Sequence, residues 1–329
     1  VASTLGVYPE YFGRNPTDAR AEPGASTATW SELVRFESWL GRPVNWIMQF
    51  GWMSAPSWSE MEASVRRFAD ADALRAIPLH TRRAIVCLPL TVRGTPLSAV
   101  ASGTYDQTFR AIAQRYVDTG LNQVVFRLGW ELDNRDFPWT MRTESGGNPT
   151  DYRAAWRRVH DVMMSVNGAR FEWCLDTMAY GWRSPSIESS RAASVWPGDD
   201  YVDYCGVDTY DSDLPGGYPS REGVWTTVHK PGLDACAQFA AAHGKKVAIP
   251  EWACCARTSA GGQSVGGDNP YFISKLAEWI DTHNVGFHCY FNRYDPLDGI
   301  GSYKINPLIV SGLSQFPSAA SEFKRRVGV

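Results

Sequence analysis

Two glutamates in this chain stand where a carboxylate has little structural use. Glu131 follows the run Val125-Phe126-Arg127-Leu128-Gly129-Trp130, and Glu251 follows Val247-Ala248-Ile249-Pro250 and precedes Trp252. Each lies where an apolar, strand-like run meets its loop. A carboxylate there is poorly solvated and adds nothing to packing, so it calls for an ion-pair network or a chemical role. Two carboxylates held in opposite protonation states suit one kind of reaction. The protonated one hands its proton to a departing oxygen, while the ionised one attacks the carbon that oxygen leaves. No cysteine or histidine at these two strand ends offers a competing nucleophile–base pair.

The elements that must position them form a repeating pattern. Strand candidates are Thr4–Tyr8, Val44–Phe50, Ala84–Leu90, Gln123–Leu128, Arg170–Leu175, Tyr201–Val207, Lys246–Ile249 and Gly286–Phe291. Helices with recognisable starts lie between them. Thr29-x-x-Glu32, Ser57-x-x-Glu60 and Thr104-x-x-Gln107 read as capping boxes, and Asn148-Pro149 and Asn269-Pro270 as caps followed by a first-turn proline. Gly41, Gly120, Gly168 and Gly244 fall just past apolar-periodic stretches, as helix stops do. A further helix is expected around Ile187–Val195. Strict alternation of strand and helix implies a parallel sheet, and eight repeats predict a (β/α)8 barrel, read as one domain over residues 1–329. An open doubly wound sheet is the alternative, but Leu5-Gly6-Val7-Tyr8 is no Gly-rich phosphate loop. In such a barrel, catalytic groups project from the C-terminal ends of strands, and both glutamates are so placed.

Composition narrows the partner. Hydrophobic residues make up 44% and charged residues 20%, enough for a packed core. A net charge of -3 gives no general attraction to nucleic acid or an anionic membrane, and no window of 18 apolar residues exists. The 14 tryptophans exceed what a core of this size takes, and stacking on sugar faces is one use for the surplus. Trp52, Trp130, Trp139, Trp182 and Trp252 follow strand ends and are candidates to line a cleft, whereas Trp30, Trp39, Trp156 and Trp279 sit on helical faces. Six scattered histidines lack H-x-x-x-H spacing, and Asp295-Pro296-Leu297-Asp298-Gly299 reads as a turn. Neither a metal nor a cofactor is expected.

These residues carry a resemblance. Glutamates ending strands four and seven are the pattern of the clan A glycoside hydrolases. The segment Phe126-Arg127-Leu128-Gly129-Trp130-Glu131-Leu132-Asp133-Asn134, with Phe137-Pro138-Trp139, Gly147-Asn148-Pro149 and Tyr152, resembles the acid/base region of family 26, which holds β-mannanases and related β-glycanases. The resemblance implies a retaining hydrolase with Glu131 as general acid/base and Glu251 as nucleophile. It also implies a strand-six residue that hydrogen-bonds the nucleophile, and Tyr210 matches in position, with Asp208 beside it either in the site or structural. Tyr290 and Asn292, ending strand eight, stand where the clan usually has a Trp platform. The clan generally carries Asn before the acid/base, and family 26 carries His. Trp130 stands there instead, which leaves the sugar open: mannan first, then glucan, xylan or a furanoside. A non-catalytic glycan-binding barrel is the reading from another class, and retention of both glutamates speaks against it.

Arg127 lies four residues before Glu131 and on the same side of the strand. Two readings carry equal weight: it pairs with Glu251 and keeps it ionised, or it braces the barrel core. The expected partner is a polysaccharide or oligosaccharide, bound by a monomer. Val1-Ala2-Ser3-Thr4-Leu5 reads as the mature end of an exported protein. Of the cysteines at 87, 174, 205, 236, 254, 255 and 289, at least one of Cys254 and Cys255 is expected to pair elsewhere, with Cys205 as a candidate.

Overall fold

The structure, a computed structural model, describes residues 1–10, 30–70, 82–121, 124–176, 192–211, 220–258, 264–294 and 302–328. Trp182, Thr29, Gln123, most of the helix expected at 187–195 and the turn at 295–299 lie outside them. The strands are β1 Leu5–Tyr8, β2 Trp46–Phe50, β3 Arg83–Leu88, β4 Val124–Leu128, β5 Arg170–Asp176, β6 Tyr204–Asp211, β7 Lys246–Cys254, β8 Ala256–Thr258, β9 Ser264–Gly266 and β10 Val285–Phe291. All but β8 and β9 form a closed barrel, in the order β1-β10-β7-β6-β5-β4-β3-β2. Every strand pair in it with a described register is parallel. The (β/α)8 expectation holds.

The helices are α1 Ser31–Leu40, α2 Trp58–Asp70, α3 Leu97–Ala101, α4 Asp106–Asp118, α5 Pro149–Asn167, α6 Arg221–Val224, α7 Lys230–Ala242, α8 Pro270–Thr282 and α9 Pro317–Val327. Between α6 and α7, Trp225–His229 is a π-helical stretch. Capping side chains mark the starts of α2, α5 and α8. The Asn148 carboxamide accepts from the Thr150 and Asp151 amides, Asn269 accepts from Phe272, and Ser57 accepts from the Glu60 amide. Gly41, Gly120, Gly168 and Gly244 all have positive φ, as stops require. Thr104 is an exception. It sits in the turn after α3, its hydroxyl shared with Ser102, and α4 begins at Asp106 with Tyr105 as its uncapped N-terminus.

Two strand ends differ from expectation, and both matter. β6 starts three residues late, because Asp199–Tyr201 is a 3-10 turn, and then runs on through polar Asp208, Thr209, Tyr210 and Asp211. β7 does not stop at Ile249 but continues past Pro250 and Glu251 to Cys254. Polar residues persist in both strands because their side chains meet buried partners, which hydropathy along the chain does not reveal. The antiparallel pair β8–β9, with Arg257 opposite Val265, was not anticipated.

The chain divides into two units, residues 1–47, 209–230 and 249–329, and residues 48–208 and 231–248. In the first, β1 pairs with β10 (Val7 opposite Tyr290), and Phe323 of α9 packs on Phe36 and Trp39 of α1 with ring centroids 6.2 and 6.0 Å apart. In the second, β3, β4 and β5 align Cys87, Arg127 and Glu172 in one row. Among the described residues, no helix is long and apolar enough to cross a membrane.

Candidate active site

Glu131 owes its position to a sharp turn at the end of β4. Gly129 and Glu131 both have positive φ, 51° and 44°. The left-handed region suits glycine but strains a side chain with a Cβ, by roughly 1–2 kcal/mol. Such strain persists only when the surroundings over-determine it. They do so here. The Tyr152 hydroxyl donates to the Gly129 carbonyl (3.3 Å), the Asn134 amide to the Glu131 carbonyl (2.7 Å) and the Met141 amide to the Leu132 carbonyl (2.7 Å). The Glu131 carboxylate is partly exposed, and the Asn134 carboxamide donates to its Oε2 at 3.2 Å.

Trp130 and Trp139 hold this turn from beneath. The Trp139 indole donates to the Trp130 carbonyl at 2.7 Å, and the Trp130 ring packs against Phe50, Phe137 and Trp139. Their relative exposures are 2% and 0%. Both were candidates to line a cleft, and the structure instead buries them in the packing of the loop that carries Glu131. Among the described cleft candidates, only Trp52 is exposed, at 44%.

Glu251 lies in the other unit, inside β7, with 6% of its surface exposed. The Tyr210 hydroxyl donates to its Oε2, as the resemblance implied for a strand-six tyrosine. The Tyr210 ring is steadied by Phe291 and Tyr303, at centroid distances of 5.6 and 5.1 Å.

Arg127 is fully buried, and two carboxylates of its own unit face it. Its Nη2 donates to Asp208 Oδ2, and its Nε lies 3.3 Å from Glu172 Oε2. The Cys174 sulfur accepts a further bond from Nη2 at 3.2 Å. Burial, with the Asp208 and Glu172 charges, pushes the Cys174 thiol well above its ordinary range, so it stays protonated. A Cβ at Gly206 would fall on Glu172 Oε1, so that glycine gives the carboxylate its space. Arg127 thus braces the barrel interior through Asp208 and Glu172. Glu172 was not singled out from sequence, although a charge between Phe171 and Trp173 was the available signal.

Three further site candidates turn out to be structural. Trp252 is 2% exposed, and its indole donates to His288 Nδ1 at 3.1 Å. Tyr290 is fully buried between Trp252 and Phe323, with ring centroids 5.0 and 5.2 Å away. Asn292 is likewise buried, donating to Asn306 and accepting from the Ile305 amide, both at 3.0 Å. Residues one or two past a strand's midpoint alternate faces, and these point to the helices or to the closing segment at 302–306 rather than to solvent. The expected bridge from Cys205 to the 254–255 pair is also absent. Cys205 and Cys254 are separate buried thiols, and the Cys254 Sγ donates to the Asn269 carbonyl at 3.8 Å.

The chain is similar to several known proteins. The profile of Glycosyl hydrolase family 26 matches residues 103–250, an interval that contains Glu131 and ends one residue before Glu251. A mannan endo-1,4-beta-mannosidase of Bifidobacterium adolescentis is 26% identical over 258 residues, covering 73% of this chain and 24% of that protein. The chain thus spans about a quarter of the length of that curated relative. GH26C from a Muricauda species has a similar fold: TM-score 0.64 and 17% identity, covering 98% of this chain and 84% of that one. A modular endo-beta-1,4-mannanase from Cellulomonas fimi gives a TM-score of 0.63 and 18% identity, covering 99% and 74%. By the profile match, which spans less than half of the chain, and by the shared fold, the chain is similar to glycosyl hydrolase family 26.

Proposed function

We propose that this protein is a retaining, endo-β-mannanase-like glycoside hydrolase in which Glu251 is the nucleophile and Glu131 the general acid/base. The observation that carries the assignment of roles is the Tyr210 hydroxyl donating to Glu251, which fixes the direction of a buried carboxylate within a barrel strand. Glu131 is on a loop, partly exposed, where it can exchange its proton with a leaving oxygen and then with water. In the first step Glu251 attacks the anomeric carbon while Glu131 protonates the departing glycosidic oxygen. In the second, Glu131 takes a proton from water, which releases the sugar from Glu251. Both catalytic groups are side chains of the protein, and the step needs no cofactor. Mannan as substrate rests on the relatives named above. Work outside the cell, where such polymers are met, is part of the same proposal.

Release of reducing ends from a panel of mannan, glucan, xylan and furanoside polymers identifies the sugar, and mannan is expected. The roles are tested with an aryl mannoside whose leaving group needs no acid. Glu131→Gln is expected to accumulate a covalent sugar adduct detectable by mass, and to turn over natural polymer at least about 100-fold more slowly. Glu251→Gln is expected to form no adduct. An inverted first product by NMR, or full activity in Glu251→Gln, overturns the assignment.

A further inference from the structure

β6 presents two faces at its C-terminal end, and only one of them belongs to the site described above. Asp208 and Tyr210 share the face that meets Arg127 and Glu251, while Thr209 and Asp211 point the other way. The outer face of a barrel strand usually packs apolar side chains on helices. Here it is polar and closed off from solvent: Thr209 is 0% and Asp211 3% exposed.

What meets that face is a chain of polar groups from two helical segments. Thr209 Oγ1 and His229 Nδ1 lie 2.9 Å apart, and His229 Nε2 lies 3.8 Å from Asp211 Oδ1. An imidazole whose Nε2 faces a carboxylate carries its hydrogen there, so the Thr209 hydroxyl donates to Nδ1. His229 is the last residue of the π-helical stretch and is 1% exposed. Asn269 donates to Asp211 Oδ2 at 2.8 Å and accepts from the Phe272 amide at 3.2 Å, capping α8. The Asn269 carbonyl in turn receives the Cys254 thiol, at the end of the strand that carries Glu251. Gly266 packs so closely on the Asp211 carbonyl that no Cβ fits there. The ends of β6 and β7 are therefore tied to one polar hub.

We propose that Thr209, His229, Asp211 and Asn269 form a clamp that aims the Tyr210 hydroxyl at Glu251, making them positioning residues for the nucleophile. The proposal rests on Glu251 being that nucleophile. Four buried polar side chains cost more to desolvate than apolar ones of similar size, and the directional bonds from Thr209 to His229 and from Asn269 to Asp211 favour one geometry where apolar packing tolerates several; His229 Nε2 faces Asp211 without a hydrogen bond. A hydrogen bond between a phenol and a carboxylate is directional, so a small rotation of the β6 end weakens it. Thr209 is covalently next to Tyr210, and its bond to His229 sets that rotation.

The test uses Thr209→Val, which keeps the shape and removes the hydroxyl, beside Thr209→Ser, which restores it. With an aryl β-glycoside, Thr209→Val is expected to lower kcat for formation of the glycosyl-enzyme about tenfold with KM unchanged, and Thr209→Ser to recover most of it. The second readout is independent of turnover: the ring-carbon resonance of Tyr210 in protein labelled with 13C-tyrosine, assigned through Tyr210→Phe. It is expected to move in Thr209→Val toward its position in Glu251→Gln. If Thr209→Val does not fold, Asp211→Asn, which keeps the shape but removes the charge and turns one acceptor oxygen into a donor, is read in the same two ways. An unmoved Tyr210 resonance, or equal loss in the Ser and Val variants, overturns the clamp. A wild type inert on every β-glycoside overturns the proposed function instead, while the resonance still decides the clamp.

Discussion

A glutamate held at φ 44° is the most telling single residue in the molecule. The strain stored there has no benefit for folding, and the turn that imposes it aims a carboxylate out of the end of β4. This yields a separable outcome. Glu131→Gly removes the strain and is expected to raise the unfolding free energy by about 1 kcal/mol while abolishing natural substrate turnover. Glu131→Gln keeps the strain and is expected to leave stability unchanged. Urea unfolding of the three proteins checks both, and a Gly variant less stable than wild type would show that the turn does not strain Glu131. Arg127 illustrates the opposite economy of charge. A buried guanidinium between Asp208 and Glu172 is tolerated only as a set, so changing one member leaves the others uncompensated.

At the scale of elements, the aromatic residues that follow β4 and β7 support their loops from the inside. Trp139→Ala and Trp252→Ala are each expected to cost about 3–5 kcal/mol of stability, the range for deleting a large buried aromatic. Thermal and urea midpoints measure this, and a loss confined to substrate affinity would contradict it. The reason these tryptophans looked like a cleft lining is instructive. Sequence places a residue after a strand but does not say which face it turns to, and a loop that folds back, as 131–141 does through the bond between Met141 and Leu132, buries what an open loop would expose. Other elements were legible for physical reasons. Asn148-Pro149 and Asn269-Pro270 announce helix starts through local hydrogen bonding alone, and four glycines announce stops. The eight barrel strands were readable as apolar runs, with ends wrong where polar residues are paired inside. Both glutamates and Tyr210 were found because they sit at strand ends. Glu172 and His229 were missed because their partners come from distant parts of the chain.

For the molecule as a whole, a buried histidine is one source of acid sensitivity, acting above the pH range of the carboxylates. His288 accepts from the Trp252 indole at Nδ1, and its Nε2 lies 3.0 Å from the Val1 carbonyl, to which it donates. Burial is the main cause that lowers its pKa to about 4, from an ordinary 6.5. A folded value below the unfolded one means that the neutral ring stabilises the fold fully above pH 6.5. That contribution falls as pH drops from 6.5 to about 4 and is gone below it. Its full size is about 3 kcal/mol. His288→Gln offers an acceptor and a donor without a titrating ring, and is expected to flatten the decline in urea midpoint between pH 6.5 and 4. An equally steep decline in that variant would place the acid-sensitive group elsewhere.

The π-helical stretch Trp225–His229 carries one residue more per turn than the helices that flank it. Deleting a single residue from Trp225–Val228 would turn it into ordinary α-helix, a change that local hydrogen bonding favours. Five π-helical residues sweep nearly the same angle as four α-helical ones, so the far side would keep its bearing. What would go is the bulge itself, and with it the seat of His229 against Thr209. A one-residue deletion here is therefore expected to spare the buried face of α7 while freeing Thr209, whereas a two-residue deletion would turn that face by about 100°.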